Sequence, residues 1–123
     1  MPPSDDAIAL AQKLFDLARN GEVEELAAYL DAGAPVDMRN ENGDTFLILA
    51  AYRDQPETVS MLIGKGADIE AQNDRGQTAL TCAVFKKDMA SVRLLLAAGA
   101  NPDAGTPSAR QTANMFGVDL SAG

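Results

Sequence analysis

Histidine does not occur in this chain of 123 residues. Its absence removes Ser-His and Cys-His nucleophile pairs and every histidine-based metal site. Cysteine occurs once, as Cys82, so no internal disulfide framework exists. No apolar run approaches the length of about 18 residues that a membrane-spanning helix needs. Positive charge is scarce: 10 Lys and Arg stand against 18 Asp and Glu, a net charge of −8. Such a chain has no general attraction to nucleic acid or to anionic membrane, since both are negative. Aromatics make up only 5%, and Ala and Leu fill the core-like positions, which suits closely packed helices. The start, Met1-Pro2-Pro3-Ser4-Asp5-Asp6, is acidic where a signal peptide requires positive charge and then an apolar core. The expectation is one cytoplasmic domain with its own core, since 46% of residues are hydrophobic.

What is present is a period. Gly-x-Thr occurs at Gly43-Asp44-Thr45 and again 33 positions later at Gly76-Gln77-Thr78. Gly-Ala occurs at Gly33-Ala34, Gly66-Ala67 and Gly99-Ala100, again 33 apart. Leu14 recurs as Leu47 and Leu80, and Val59, Leu62 and Ile63 recur as Val92, Leu95 and Leu96. A fixed period of this size is the mark of stacked repeats, each burying its apolar face against the next.

Local signals place the helices. Ser4 is a good N-cap, and Asp5 and Asp6 suit the positive end of a helix predicted to run to about Arg19. Its residues Ile8, Leu10, Ala11, Leu14, Phe15, Leu17 and Ala18 predict a broad buried face. Asn20-Gly21 breaks it, and Glu22 to Glu25 open a second helix with Leu26, Tyr29 and Leu30 inward. The turn formers Asp37, Asn40, Asn42 and Gly43 predict a hairpin-like finger. A helix Phe46–Tyr52 follows, then one with Pro56 in its first turn. The plan repeats with a finger at Asn73 to Gly76, an inner helix Thr78–Phe85 and an outer helix Asp88–Ala98. After Gly99 the register slips; Ser108 to Gln111 reads as a capping box opening a helix Ala109–Phe116, closed by Gly117.

The segments Gly43-Asp44-Thr45-Phe46-Leu47-Ile48-Leu49-Ala50-Ala51 and Gly76-Gln77-Thr78-Ala79-Leu80-Thr81-Cys82-Ala83 resemble the ankyrin pattern G-x-T-P-L-H-x-A-A. Gly66-Ala67-Asp68-Ile69 and Gly99-Ala100-Asn101-Pro102 are similar to its G-A-D/N-V/P. The resemblance covers Leu14 to Asp103 well and Thr106 to Leu120 loosely. It departs at the family's Pro, which is Phe46 and Ala79 here, and at its His, which is Ile48 and Thr81. That His usually ties neighbouring repeats through backbone hydrogen bonds. The resemblance implies an all-α solenoid of stacked helix-turn-helix units with short hairpin-like fingers along one edge. The expected division is an N-terminal capping repeat at about 4–40, repeats at 41–73 and 74–106, and a C-terminal capping half-repeat at 107–123. It further implies a protein-binding module without catalysis of its own.

In such a stack one repeat position forms a column, and the family's concave face is lined by fingertips and inner-helix ends. The period maps the fingertips to Glu41, Asn42, Asp44, Asp74, Arg75 and Gln77. It maps the inner-helix ends to Arg19 and Asn20, Tyr52 and Arg53, and Phe85 and Lys86. Tyr52 and Phe85 are neighbours in one column and stand as anchor candidates, since a few aromatic and Arg residues usually dominate binding. The competing reading folds both rings over the next inner helix as core. Arg19, Arg53, Arg75, Lys86 and Lys87 mark a cationic stripe; the competing reading is a mixed solvated surface, with Glu41, Asp44 and Asp74 close by.

Other chemistry has little support. Cys82 falls among Ala and Leu positions and reads as core. Gly64-Lys65-Gly66 lacks the Gly-rich approach and the Lys-Ser/Thr pair of a phosphate loop. Asp37, Asn40, Asn42 and Asp44 lack the downstream bidentate Glu of a calcium loop. The expectation is therefore a monomer without cofactor or metal that binds another protein. The alternative is an accessory factor that modulates or inhibits one enzyme.

Overall fold

The computed structural model describes residues 4–120. Seven helices and no strand occur among them: α1 (Asp5–Asn20), α2 (Val23–Asp31), α3 (Phe46–Tyr52), α4 (Pro56–Gly64), α5 (Ala79–Phe85), α6 (Met89–Ala97) and α7 (Ala109–Phe116). An inner row is formed by α1, α3, α5 and α7, each packed on the next; α2, α4 and α6 form an outer row. The fold is the all-α stack that the period predicts.

Hydroxyl caps start the inner helices. Thr45 accepts a hydrogen bond from the Ile48 amide at 3.2 Å and Thr78 from the Thr81 amide at 3.1 Å. Ser108 accepts from the Gln111 amide at 3.1 Å, while the Gln111 side chain accepts from the Ser108 amide at 2.8 Å, closing the box. Each cap satisfies an N–H that the helix itself leaves without a partner.

The glycine of the Gly-x-Thr motif has two causes. Gly43 and Gly76 hold φ of 75° and 77°, left-handed backbone that L side chains rarely adopt. A Cβ on Gly43 would also lie 2.5 Å from the Asp74 carboxylate and 2.9 Å from its amide nitrogen. The fingers pack that closely because they bond to one another. The Asp74 amide donates to the Asn42 carbonyl at 3.0 Å, and the Thr106 amide to the Gly76 carbonyl at 2.9 Å.

The recurring leucines meet in the core. Leu14, Leu47 and Leu80 are buried in the inner row, and Leu26, Val59, Leu62, Val92 and Leu95 bury the outer row against it. Phe46, where the family has Pro, is fully buried with its ring centroid 4.9 Å from that of Phe15. Thr81, where the family has His, restores one tie between units: its hydroxyl donates to the Pro107 carbonyl at 3.3 Å.

One expectation fails in α1. Ile8 and Leu10 are exposed and Ala11 is only half-buried, so the buried face starts at Leu14. At 16 residues α1 is far longer than the 7-residue α3 beside it, and its first half overhangs the stack with no helix to cover it.

Candidate functional site

The ends of the inner helices carry three aromatic rings in a row. Tyr52 closes α3, Phe85 closes α5 and Phe116 closes α7. The period places Tyr52 and Phe85 at one repeat position. The helices beneath them pack directly, so the rings come together. Their planes lie within 7° of parallel with centroids 6.4 Å apart. Phe116 meets Phe85 edge to face at 5.4 Å. The rings do not fold into the core: Tyr52 is 40% exposed, Phe85 49% and Phe116 41%, and Met115, the residue before Phe116, is 65% exposed.

Phe116 escapes the period. Thr45 and Thr78 are 33 apart, but the next cap is Ser108, only 30 beyond Thr78. Adding 33 to Phe85 points to Val118 instead. Counting from the caps comes within one residue of it: the seven that separate Tyr52 from Thr45 and Phe85 from Thr78 lead from Ser108 to Met115, next to Phe116.

Between these helix ends and the fingers lies a cleft of about 210 Å³. Its rims are Arg19, Tyr52 and Arg53 on the helix side and Asp44, Arg75 and Gln77 on the finger side, with Ile48 and Cys82 at its floor. Among the predicted residues, therefore, six converge on one cleft. Lys86, the C-cap of α5, joins them, its ammonium 5.3 Å from the Tyr52 ring centroid. Glu41 and Asp74 are exposed on the fingers and do not line it.

Asp44 is not the exposed fingertip that the period predicts. It is only 7% exposed, because Asn73 from the next finger donates to its carboxylate at 2.8 Å. Its position holds two fingers together, with its carboxylate turned to the Asn73 amide. Asn73, in sequence only the first residue of a turn, organises the whole finger. Its side-chain oxygen accepts from the Arg75 and Gln77 amides, each at 3.0 Å, and its amide also reaches the Gln77 side chain at 2.9 Å. The signal for it was present: Asn40 lies 33 positions earlier and accepts from the Asn42 and Asp44 amides in the same way, at 2.9 Å and 3.0 Å.

The cleft is poorly suited to covalent chemistry. Burial pushes the Cys82 thiol up to about 12, with the Asp44 charge adding to the rise and Arg75 opposing it. A thiol held there stays protonated near neutral pH and is a poor nucleophile. Among the described residues, no three of Cys, Asp and Glu gather as a metal-ligating set. None of the described helices is long and apolar enough to cross a membrane.

A profile for ankyrin repeats, described as three copies, matches residues 14–106. The chain belongs to the ankyrin repeat family. Ankyrin repeats generally mediate protein–protein interaction. The chain is also similar to a Pseudomonas aeruginosa protein named for its ankyrin repeats, 43% identical over 49 residues. That stretch is 40% of this chain and spans 29% of the relative's length. The ankyrin stack explains why the rings line up: successive units present the same position at the same edge.

Proposed function

We propose that this ankyrin stack binds a partner protein in the groove between its fingers and inner helices, without catalysis of its own, and that Tyr52 and Phe85 are the anchors. The observation that carries this reading is the row of half-exposed aromatic rings beside the cleft. Large rings held at a surface cost little further entropy on binding and bring much apolar area to the contact. Arg53, Arg75, Lys86, Arg19 and Gln77 surround them as polar rim, with Glu41 and Asp74 beyond on the fingers. Asp44 supports the groove from within.

The test compares tagged wild-type protein with the Tyr52→Ala/Phe85→Ala variant as baits in lysate from the native organism. The two must first give superimposable far-UV circular dichroism. A protein captured by wild type and lost with the variant is the expected result, since truncating an anchor usually costs about 2 kcal/mol or more. Equal capture by both baits sinks this placement.

A further inference from the structure

The cations of this chain divide into two sets. Four are ion-paired: Lys13 with Glu25, Arg19 with Asp16, Lys65 with Asp31 and Arg110 with Asp103. Arg39 donates to the Gly43 and Gln72 carbonyls. Among the described residues, Arg53, Arg75, Lys86, Lys87 and Arg93 have no carboxylate within 4.0 Å. Arg53 and Arg75 share the cleft with Tyr52, and Lys86 lies across the Tyr52 ring; Lys87 is the next residue along. In a chain of net charge −8, unpaired cations should be the rarest feature of the surface. They are concentrated instead where the apolar side chains are exposed.

Resting on the protein-binding reading above, we propose the kind of partner: the groove takes an acidic segment that carries apolar side chains. Leucine- or phenylalanine-like groups would cover the strip of Tyr52, Phe85, Met115 and Phe116. Carboxylates would meet Arg53, Arg75 and Lys86. Asp44, the acid that lines the cleft, is buried and already hydrogen-bonded to Asn73. Complementary charge of this kind sets partner choice and association rate.

Stacked aromatics beside cations are also the hardware of single-stranded nucleic-acid binding. Two observations favour protein. The rings are already engaged, Lys86 lying over Tyr52, Tyr52 and Phe85 nearly parallel and Phe116 edge to face with Phe85, so they pack on one another rather than standing apart as open platforms for bases. The overall charge of −8 also repels a polyanion once it extends beyond the cleft.

A random peptide display library selected on the wild-type protein, with counter-selection on Tyr52→Ala/Phe85→Ala, tests this. The expected outcome is peptides rich in Asp and Glu around Leu or Phe. The best of them, synthesised with a fluorescent label, should lose about tenfold or more in affinity against Arg53→Glu/Lys86→Glu, because like charges then face each other. Raised salt should weaken binding as well. Selected peptides that depend on Tyr52 and Phe85 but carry no acidic bias overturn the acidic partner and leave the anchor reading intact. No peptide enriched over the double variant overturns both. Tight binding of a thymidine oligonucleotide or of phosphatidylserine vesicles, abolished by the same charge reversal, overturns it in favour of a polyanion. Wild-type self-association abolished by that reversal overturns it in favour of a second copy.

Discussion

The second and third units of the stack share a plan but not their supports. Asn40 and Asn73 hold their fingers by the same pair of backbone bonds. Only Asn73 goes further: its amide donates to Asp44 and Gln77, whereas the Asn40 amide is buried with no partner. The reason is position. The finger before Asn73 supplies Asp44; the unit before Asn40 has a long helix and no finger. The outer helices differ likewise. In α6, Asp88 caps the Ser91 amide and accepts from the Ser91 hydroxyl at 2.5 Å. In α4, Gln55 occupies the cap but reaches across to the Arg19 carbonyl at 3.1 Å, and the Thr58 hydroxyl is left buried and unpaired. Sequence period specifies the repeated frame, while which polar groups find partners depends on what the neighbouring unit offers.

The frame itself should respond alike in both units. Leu47 lies in α3, between α1 and α5; Leu80 lies in α5, between α3 and α7. Both are 1% exposed. Leu80→Ala and Leu47→Ala should each cost about 2–5 kcal/mol, the usual range for emptying a buried leucine site. Urea unfolding measures both. A small loss at Leu47 beside a large one at Leu80 would mean that α1 does not complete the stack as a true inner helix does.

The fingers should respond differently. Asn73→Ala removes the side-chain acceptor of two backbone N–H groups and also strips the donor from the buried Asp44 carboxylate; a loss of about 2–3 kcal/mol is expected from that orphaned group and the missing bonds. Asn40→Ala removes the same two backbone bonds but also deletes a donor that had no partner, so about 1 kcal/mol or less is expected. Equal losses would show that the Asn73–Asp44 bond between fingers contributes nothing, leaving the Asp74 amide to Asn42 carbonyl bond to hold the fingers together.

These pairs also mark what a sequence makes legible. Helix starts were readable because their chemistry is local: Thr45, Thr78 and Ser108 cap a few residues ahead, and a hydroxyl at that spacing is visible in one dimension. The column of Tyr52 and Phe85 was readable because a strict period converts spacing into neighbourhood. Asp44 was misread for the complementary reason. Its burial depends on Asn73, 29 residues away, and a charged residue in a turn carries no local sign of a distant donor. Ile8 and Leu10 were misread because an apolar helical face does not announce where its covering helix stops. Phe116 was lost to the period when the last finger shortened by three residues.

The subtlest contrast is between Thr58 and Ser91, 33 positions apart and both fully buried. Thr58→Val replaces an unpartnered hydroxyl with a methyl of similar size, and relieving that desolvated group should raise stability by up to about 1 kcal/mol. The β-branch is kept, so helix propensity and packing change little. Ser91→Ala should act in the other direction, by about 1 kcal/mol, because it takes the donor from the Asp88 carboxylate that caps α6. Opposite shifts in thermal midpoint are the expected result. A loss at both positions would mean that the Thr58 hydroxyl is satisfied in solution, for which a buried water is the natural donor or acceptor, and the difference between the two outer helices would then reduce to their caps alone.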